Sequence, residues 1–343
     1  MTAHPLARAL RWGQLTLVEN DPGRFDPAFW IGYFKRIHAE GACLSAGGVV
    51  AYYPTTVPLH HRSAWLGDGD PFGDLVRGCR EAGMAILART DPHAFHADVH
   101  EAFPDWAACD EAGTPRPHWA SPELWVACPL GPYGFEFMSA VHAEIAARYP
   151  VDGIFINRWA GSGPCWCPYC RAGFRAETGR DLPHGLERPG PERRAWAAWR
   201  ERRLLALWDR WRDVVTEARP GCAVVPNTGP GEIPLAEIVR RAPLLVGDRQ
   251  ARAGATPAWM AGRHAREYSA MHDGTPAAGL FSVGLEEAYR WKDSVNTPAE
   301  IRLWAAGMIA HGMRPWVCKF SGVLYDRRWL AVVAGIFVRP PAL

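Results

Sequence analysis

The chain has 343 residues, 48% hydrophobic and 22% charged, a length and composition that suit one large α/β domain with a sizeable core. Its net charge of +2 comes without a basic run, which argues against nucleic acid as a partner. No stretch of about 18 apolar residues could span a membrane, and the N-terminus MTAHPLARALRWGQ lacks the apolar core of a secretory signal, so a cytoplasmic protein is expected.

Short apolar runs alternate with helical patterns along the chain, the order of a parallel sheet with helical crossovers. After an extension over 1–13, Leu15 to Val18 reads as the first strand, with Glu19, Asn20 and Asp21 at its end. Pro27 to Glu40 reads as a helix. Ala42 to Tyr52 holds the second strand, followed by a loop with His60 and His61. Gly73 to Ala82 is a helix stopped by Gly83. Met84 to Ala88 is the third strand, followed by Arg89, Asp91 and His93. A long loop rich in Pro, Trp and Asp runs to about residue 130.

Phe135 to Tyr149 then reads as a helix and Gly153 to Ile156 as the fourth strand, ending in Asn157 and Arg158. A Cys-rich loop leads into a long helix around Ala195 to Glu217, whose Arg, Trp and Leu residues recur at helical spacing. Ala223 to Val225, Leu244 to Val246, Gly279 to Val283 and Pro315 to Cys318 supply the remaining strands. They end in Asn227, in Asp248 and Arg249, in Glu286 and Glu287, and in Lys319. Helices are expected at Leu235 to Arg241, Pro257 to Met271 and Pro298 to His311. Eight strands, each followed by polar residues, predict a (β/α)₈ TIM barrel over 14–330 with its chemistry on the loops after the strands. An open doubly wound sheet would want a Gly-rich phosphate turn after the first strand, and VENDPGRFD is not one. Residues after Asp326, and 331–343 in particular, read as a final helix cut short.

Nine cysteines occur, three of them in Cys165-Trp166-Cys167-Pro168-Tyr169-Cys170. Three thiols in six residues strain disulfide geometry but suit one tetrahedral ion, and thiolates favour zinc. Cys128 is the first choice for a fourth ligand and Cys109 the second. Seventeen tryptophans suggest that some indoles line a saccharide cleft, since their faces match the C–H faces of sugar rings. Asp248 and Asp91 are candidate catalytic carboxylates. Glu19, His60, His61, His93, Asn157, Arg158, Asn227, Arg249 and Lys319 are candidate substrate contacts from the strand ends. Arg158 and Lys319 together hint at an anionic sugar.

The run Asp152-Gly153-Ile154-Phe155-Ile156-Asn157, the following Cys-x-Cys-x-x-Cys, and then Phe174 and Gly179 resemble the zinc-containing β-galactosidases of glycoside hydrolase family 42. Pro104-Asp105-Trp106, Cys128 to Tyr133 and Val151 to Pro183 resemble still more the hypothetical glycosyl-hydrolase, alpha-amylase-like barrels related to that family. The resemblance implies a structural Zn²⁺ on Cys128, Cys165, Cys167 and Cys170. It also implies a nucleophile after the seventh strand, which selects Glu286, or its neighbour Glu287. One departure is clear: the β-galactosidases carry Asn-Glu after the fourth strand, with the Glu as general acid/base, whereas this chain has Asn157-Arg158. Arginine cannot deliver a proton at neutral pH. The function expected is therefore glycoside hydrolysis of an unidentified saccharide by a carboxylate pair. The alternative is a catalytically silent carbohydrate-binding barrel or subunit platform, and self-association is left open.

Overall fold

The computed structural model describes residues 3–227, 233–252, 254–271, 274–284 and 294–338. Within them the eight parallel strands are β1 (Trp12–Thr16), β2 (Gly41–Gly48), β3 (Ala85–Asp91), β4 (Gly153–Ile156), β5 (Ala223–Pro226), β6 (Leu245–Asp248), β7 (Ala277–Ser282) and β8 (Arg314–Phe320). Their order around the sheet is β5-β4-β3-β2-β1-β8-β7-β6. β1 pairs with β8, Trp12 standing opposite Trp316, so the two ends of the chain meet in one ladder. Among the described residues β5 and β6 share no backbone ladder, and the barrel is nearly closed rather than sealed.

β1 begins at Trp12, three residues ahead of the expected Leu15, because Gly13 and Gln14 interrupt the apolar run that marks a strand. Residues before 14 are therefore not a mere extension. The short helix Pro5–Arg8 sits at the barrel floor, where Leu6 and Ala9 share a buried cluster with Trp12, Leu87, Phe155, Val225, Val246, Leu280 and Trp316. Trp12 and Trp316 stack there with ring centroids 4.9 Å apart. Gly41 is required beside them: a Cβ at that position would lie 2.5 Å from the Trp12 ring.

Above this apolar floor the lumen turns polar. Gln14 Oε1 accepts from Trp316 Nε1 at 2.8 Å, and Gln14 Nε2 donates to Thr16 Oγ1 at 2.8 Å. Both are buried, so each needs its partner.

Helices form the outer layer. Asp26, Asp70 and Thr297 cap Pro27–Arg36, Pro71–Glu81 and Pro298–Ile309, each ahead of a proline in the first turn. The long helix Pro191–Ala218 buries Trp196, Trp199, Trp208 and Trp211 on one face, which accounts for four of the tryptophans by packing. The segment after Asp326 has a place after all. Helix Trp329–Phe337 packs on Pro27–Arg36 through Trp329, stacked on Trp30 at 6.2 Å and edge-on to Tyr33 at 5.2 Å.

The long loop after β3 is also more regular than expected. It holds the antiparallel pair Ala94–His96 and Leu124–Val126 and the helix Ala97–Ala102. No helix among the described residues is long and apolar enough to cross a membrane.

Trp316→Ala would open a hole in the floor of the lumen and orphan Gln14 Oε1. A loss of about 3–5 kcal/mol is expected in urea unfolding, with the same parallel-sheet architecture retained.

Candidate active site

The C-terminal ends of β3 to β6 carry one continuous polar chain. Buried Arg89, inside the lumen on β3, pairs with Asp91 at the strand end. Asp91 Oδ1 accepts from Asn157 Nδ2 at 2.6 Å, Asn157 Oδ1 accepts from Asn227 Nδ2 at 2.7 Å, and the same Asn227 nitrogen donates to Asp248 Oδ2 at 2.9 Å. Gln250 Nε2 lies 3.4 Å from that oxygen. The backbone fixes these positions by running the ladder past the strands: Asn157 N donates to Thr90 O at 2.9 Å and Asn227 N to Ile156 O at 2.8 Å. The link between Asn227 and Asp248 crosses the seam where the backbone ladder is missing.

Gly48 sets the height of Asp91. It ends β2 with φ +105, and a Cβ there would stand 2.4 Å from the Asp91 carbonyl oxygen. Only glycine permits this approach.

The two carboxylates differ in their partners. Asp91 is neutralised by Arg89 and held by an amide. Among the described residues no cation pairs with Asp248, and its contacts are all donated to it. The neighbouring Arg249 does not pair with Asp248. It lies on the opposite parity of the strand, exposed, where its carbonyl accepts from Trp304 and its charge acts on His264.

Arg158, directly after Asn157, is an exposed residue in the left-handed region at φ 49, an uncommon state for a non-glycine and one that concentrates at functional sites. Its guanidinium lies 5.3 Å from the ring centre of Trp119, which is 53% exposed. His93 stacks near the same indole at 5.5 Å, and His118 lies 3.9 Å from it. The loop after β3 thus carries an aromatic shelf to the end of β4. Trp119 was not singled out in the sequence. Its exposure, the one property that separates it from the packed indoles, belongs to the fold.

The adjacent histidines part company. His60 is buried: Gly48 N donates to its Nε2 at 3.1 Å and its Nδ1 contacts Thr55 Oγ1 at 3.2 Å. Both ring nitrogens are used in holding the loop after β2, so His60 does not offer a substrate contact. His61 instead stands 2.8 Å from Glu19 Oε1. Lys319 is a second correction. It shares the strand parity of Val317, which packs in the outer layer, while Cys318 lies in the lumen, so the buried Lys319 faces away from the polar chain. Asp21 is fully committed to structure, accepting from Val18 N, Ser321 Oγ and Gly322 N and so joining the loops after β1 and β8. Glu286 and Glu287 lie outside the described residues.

Beside the rim, Cys128, Cys165, Cys167 and Cys170 form a buried cluster whose sulfurs all lie within 4.8 Å of one another. Cys128 Sγ is 3.5 Å from both Cys170 Sγ and Cys167 Sγ. Cys109 stays outside the four, donating its backbone N–H to Cys165 Sγ at 3.3 Å, with Cys167 N 3.5 Å from the same sulfur. Hydrogen bonds from the other three thiols push the Cys165 thiol far below its ordinary range, while the same contacts raise Cys128 and Cys170. All nine cysteines are free thiols. Tetrahedral bonds of about 2.3 Å to one ion would set sulfurs about 3.8 Å apart, so the cluster could hold a metal with little movement.

Residues 28–158 match the family profile described as hypothetical glycosyl hydrolase 6. No curated protein sequence matches the chain. Among solved structures it is similar to alpha-L-fucosidase isoenzyme 2 from Paenibacillus thiaminolyticus, at 19% identity and TM-score 0.77, over 96% of this chain and 49% of that one. It is also similar to the β-galactosidase from Rahnella sp. R3, at 14% and 0.73, over 98% and 57%, and to that from Bacillus circulans sp. alkalophilus, at 14% and 0.72, over 96% and 55%. The chain thus spans about half the length of the structures it resembles. At these identities the likeness establishes the shared barrel.

Burial sets a pH limit on the scaffold. It lowers His60 and His264 to about 4 and His142 to about 3, from 6.5. A histidine held neutral in the fold contributes stability above its unfolded value and loses it as protons bind the unfolded chain more readily. Urea midpoints should therefore hold near pH 7 and fall steadily from about pH 6.5 towards 4. A flat profile across that window would contradict the neutral histidines.

Proposed function

We propose that the protein is a glycoside hydrolase whose reaction centre is the polar rim over β3 to β6. The match of residues 28–158 to a glycosyl-hydrolase profile and the barrel shared with glycosidases support the class. The observation that carries the site is Asp248, a carboxylate at a strand end that only accepts hydrogen bonds and has no cation among the described residues. Such a group suits the nucleophile or base of a glycosidase rather than its proton donor. Glu286 or Glu287, after β7, is then the proton donor, which reverses the nucleophile role that the family resemblance implies for that position. Asn157 and Asn227 position Asp248 and offer amides to sugar hydroxyls. Asp91, already balanced by Arg89, holds the chain of amides in place.

Trp119 and Arg158 form the substrate shelf. An exposed indole stacks on the C–H face of a pyranose, and a guanidinium beside it favours a sugar that carries a carboxylate. The absence of a carboxyl at position 158 favours a second reading, in which the barrel binds saccharides without cleaving them.

The four cysteines are proposed as a structural zinc site. Four soft sulfurs at tetrahedral spacing, with two backbone N–H groups aimed at Cys165, fit a thiolate-bound ion. Such an ion would tie the loop that carries Cys128 to the loop that carries Cys165, Cys167 and Cys170, and takes no part in the reaction.

Hydrolysis of a panel of aryl glycosides, uronides included, tests the catalytic reading. Asp248→Asn should lower kcat/KM at least a hundredfold, and Trp119→Ala should raise KM with kcat largely kept. Saccharide binding without turnover by the unaltered protein would favour the silent barrel. For the cysteines, Cys167→Ser should release thiolate-bound zinc and lower the melting temperature. An unchanged zinc content and melting temperature in that variant would remove the structural ion.

A further inference from the structure

Outside the polar chain and the cysteine cluster, three metal-ligating side chains converge on the same face of the barrel. Glu19 follows β1, His61 lies in the loop after β2, and His96 ends the short strand Ala94–His96 after β3. One ligating atom from each falls within 4.8 Å of the other two. His61 Nε2 is 2.8 Å from Glu19 Oε1. The rings of His61 and His96 stack with centroids 3.5 Å apart and planes 14° from parallel. His96 Nε2 is buried and has no hydrogen-bond partner among the described residues.

Each backbone that presents these groups is pinned. Ser63 Oγ donates to Glu19 O at 2.6 Å, Ala51 N donates to His61 O at 2.7 Å, and His96 is paired with Leu124 in the antiparallel ladder. A metal site needs this kind of support to hold its ligands in place. Burial, and then the facing His61, lowers the His96 imidazole, while Glu19, Asp98 and Glu123 oppose that shift. Neutral imidazole is a common metal ligand. An orphaned ring nitrogen, a second imidazole and a carboxylate with acidic neighbours share one need, a cation with lone-pair acceptor capacity.

We propose that Glu19, His61 and His96 form a binding site for a divalent transition-metal ion, separate from the four-cysteine cluster. Two nitrogens and one carboxylate oxygen suit zinc, cobalt or nickel, whereas the four thiolates select softer coordination. Three protein ligands leave at least one position for water or a substrate oxygen. Metal–nitrogen bonds lie in the imidazole plane, so binding must tilt the two rings away from parallel.

The full chain is first saturated with zinc and desalted, so that the thiolates are occupied, and then titrated with cobalt(II). Absorption then separates nitrogen and oxygen ligation from thiolate ligation, and imidazole proton resonances follow the ring tilt. The wild type should take up cobalt without thiolate charge-transfer absorption and with paramagnetic shifts on two imidazoles. His61→Ala and His96→Ala should each weaken this uptake at least tenfold, and Glu19→Gln should weaken it less. Circular dichroism identifies any variant that fails to fold, and the Glu19→Gln comparison keeps the ring scaffold intact. Equal cobalt affinity in the wild type and all three of these variants, or uptake only with thiolate absorption, would overturn the site.

Discussion

One hydrogen bond, from Asn227 to Asp248, holds the rim together across the place where the barrel has no ladder. Every other neighbouring pair of strands is tied by backbone hydrogen bonds, but β5 and β6 are not, among the described residues. The amide of Asn227 spans that seam at 2.9 Å and passes the constraint back through Asn157 to the ion pair of Asp91 and Arg89. A buried guanidinium inside the lumen thus anchors a chain of side chains whose far end is Asp248, the carboxylate proposed as nucleophile or base. In a low-dielectric barrel such a chain is costly unless its members are paired, and each aspartate and asparagine in it has a partner.

The rim is organised by what its loops are fastened to. Cys128 lies on the connection from β3 to β4 and the other three cysteines on the connection from β4 to β5, so the sulfur cluster joins two adjacent loops. Those same loops bring Trp119 and Arg158 together at the rim. On the far side, Asp21 joins the loops after β1 and β8, and His60 stiffens the loop after β2 through Gly48. The floor is a different material, an apolar plug of Leu6, Trp12, Phe155 and Trp316 that supports the polar layers above it. The apolar layers lie at the bottom and the polar side chains at the top, the face on which barrels of this kind carry their chemistry.

The order of strands and helices was legible because each buried strand is a short apolar run followed by polar residues. The start of β1 is masked in the sequence because Gln14 faces a polar lumen and Gly13 faces the helix layer, where Phe34 leaves no room for a Cβ. Spacing made three members of the cysteine quartet legible, and Cys128, the first choice for a fourth, lies with them in the structure. Individual rim residues were not. His60 and His61 are equal in sequence, yet one turns into the core and the other to Glu19. Lys319 was read as a strand-end cation, although the alternation Val317, Cys318, Lys319 already places it on the outer face. His96 and Trp119 were hidden in what read as one long loop, whose folding back on the rim depends on pairing between residues far apart in the chain. Glu286 and Glu287 lie outside the described residues, so their part in the site is carried by chain position alone.

The most direct test of the account is a double-mutant cycle on kcat/KM between Asn227→Ala and Asp248→Asn. If the amide acts by holding that carboxylate, removing it from a chain that already lacks the carboxylate should cost no more than a few-fold, and the two losses will fall well short of multiplying. Losses that multiply in full would show that Asn227 and Asp248 act independently and would contradict the rim as a single coupled site.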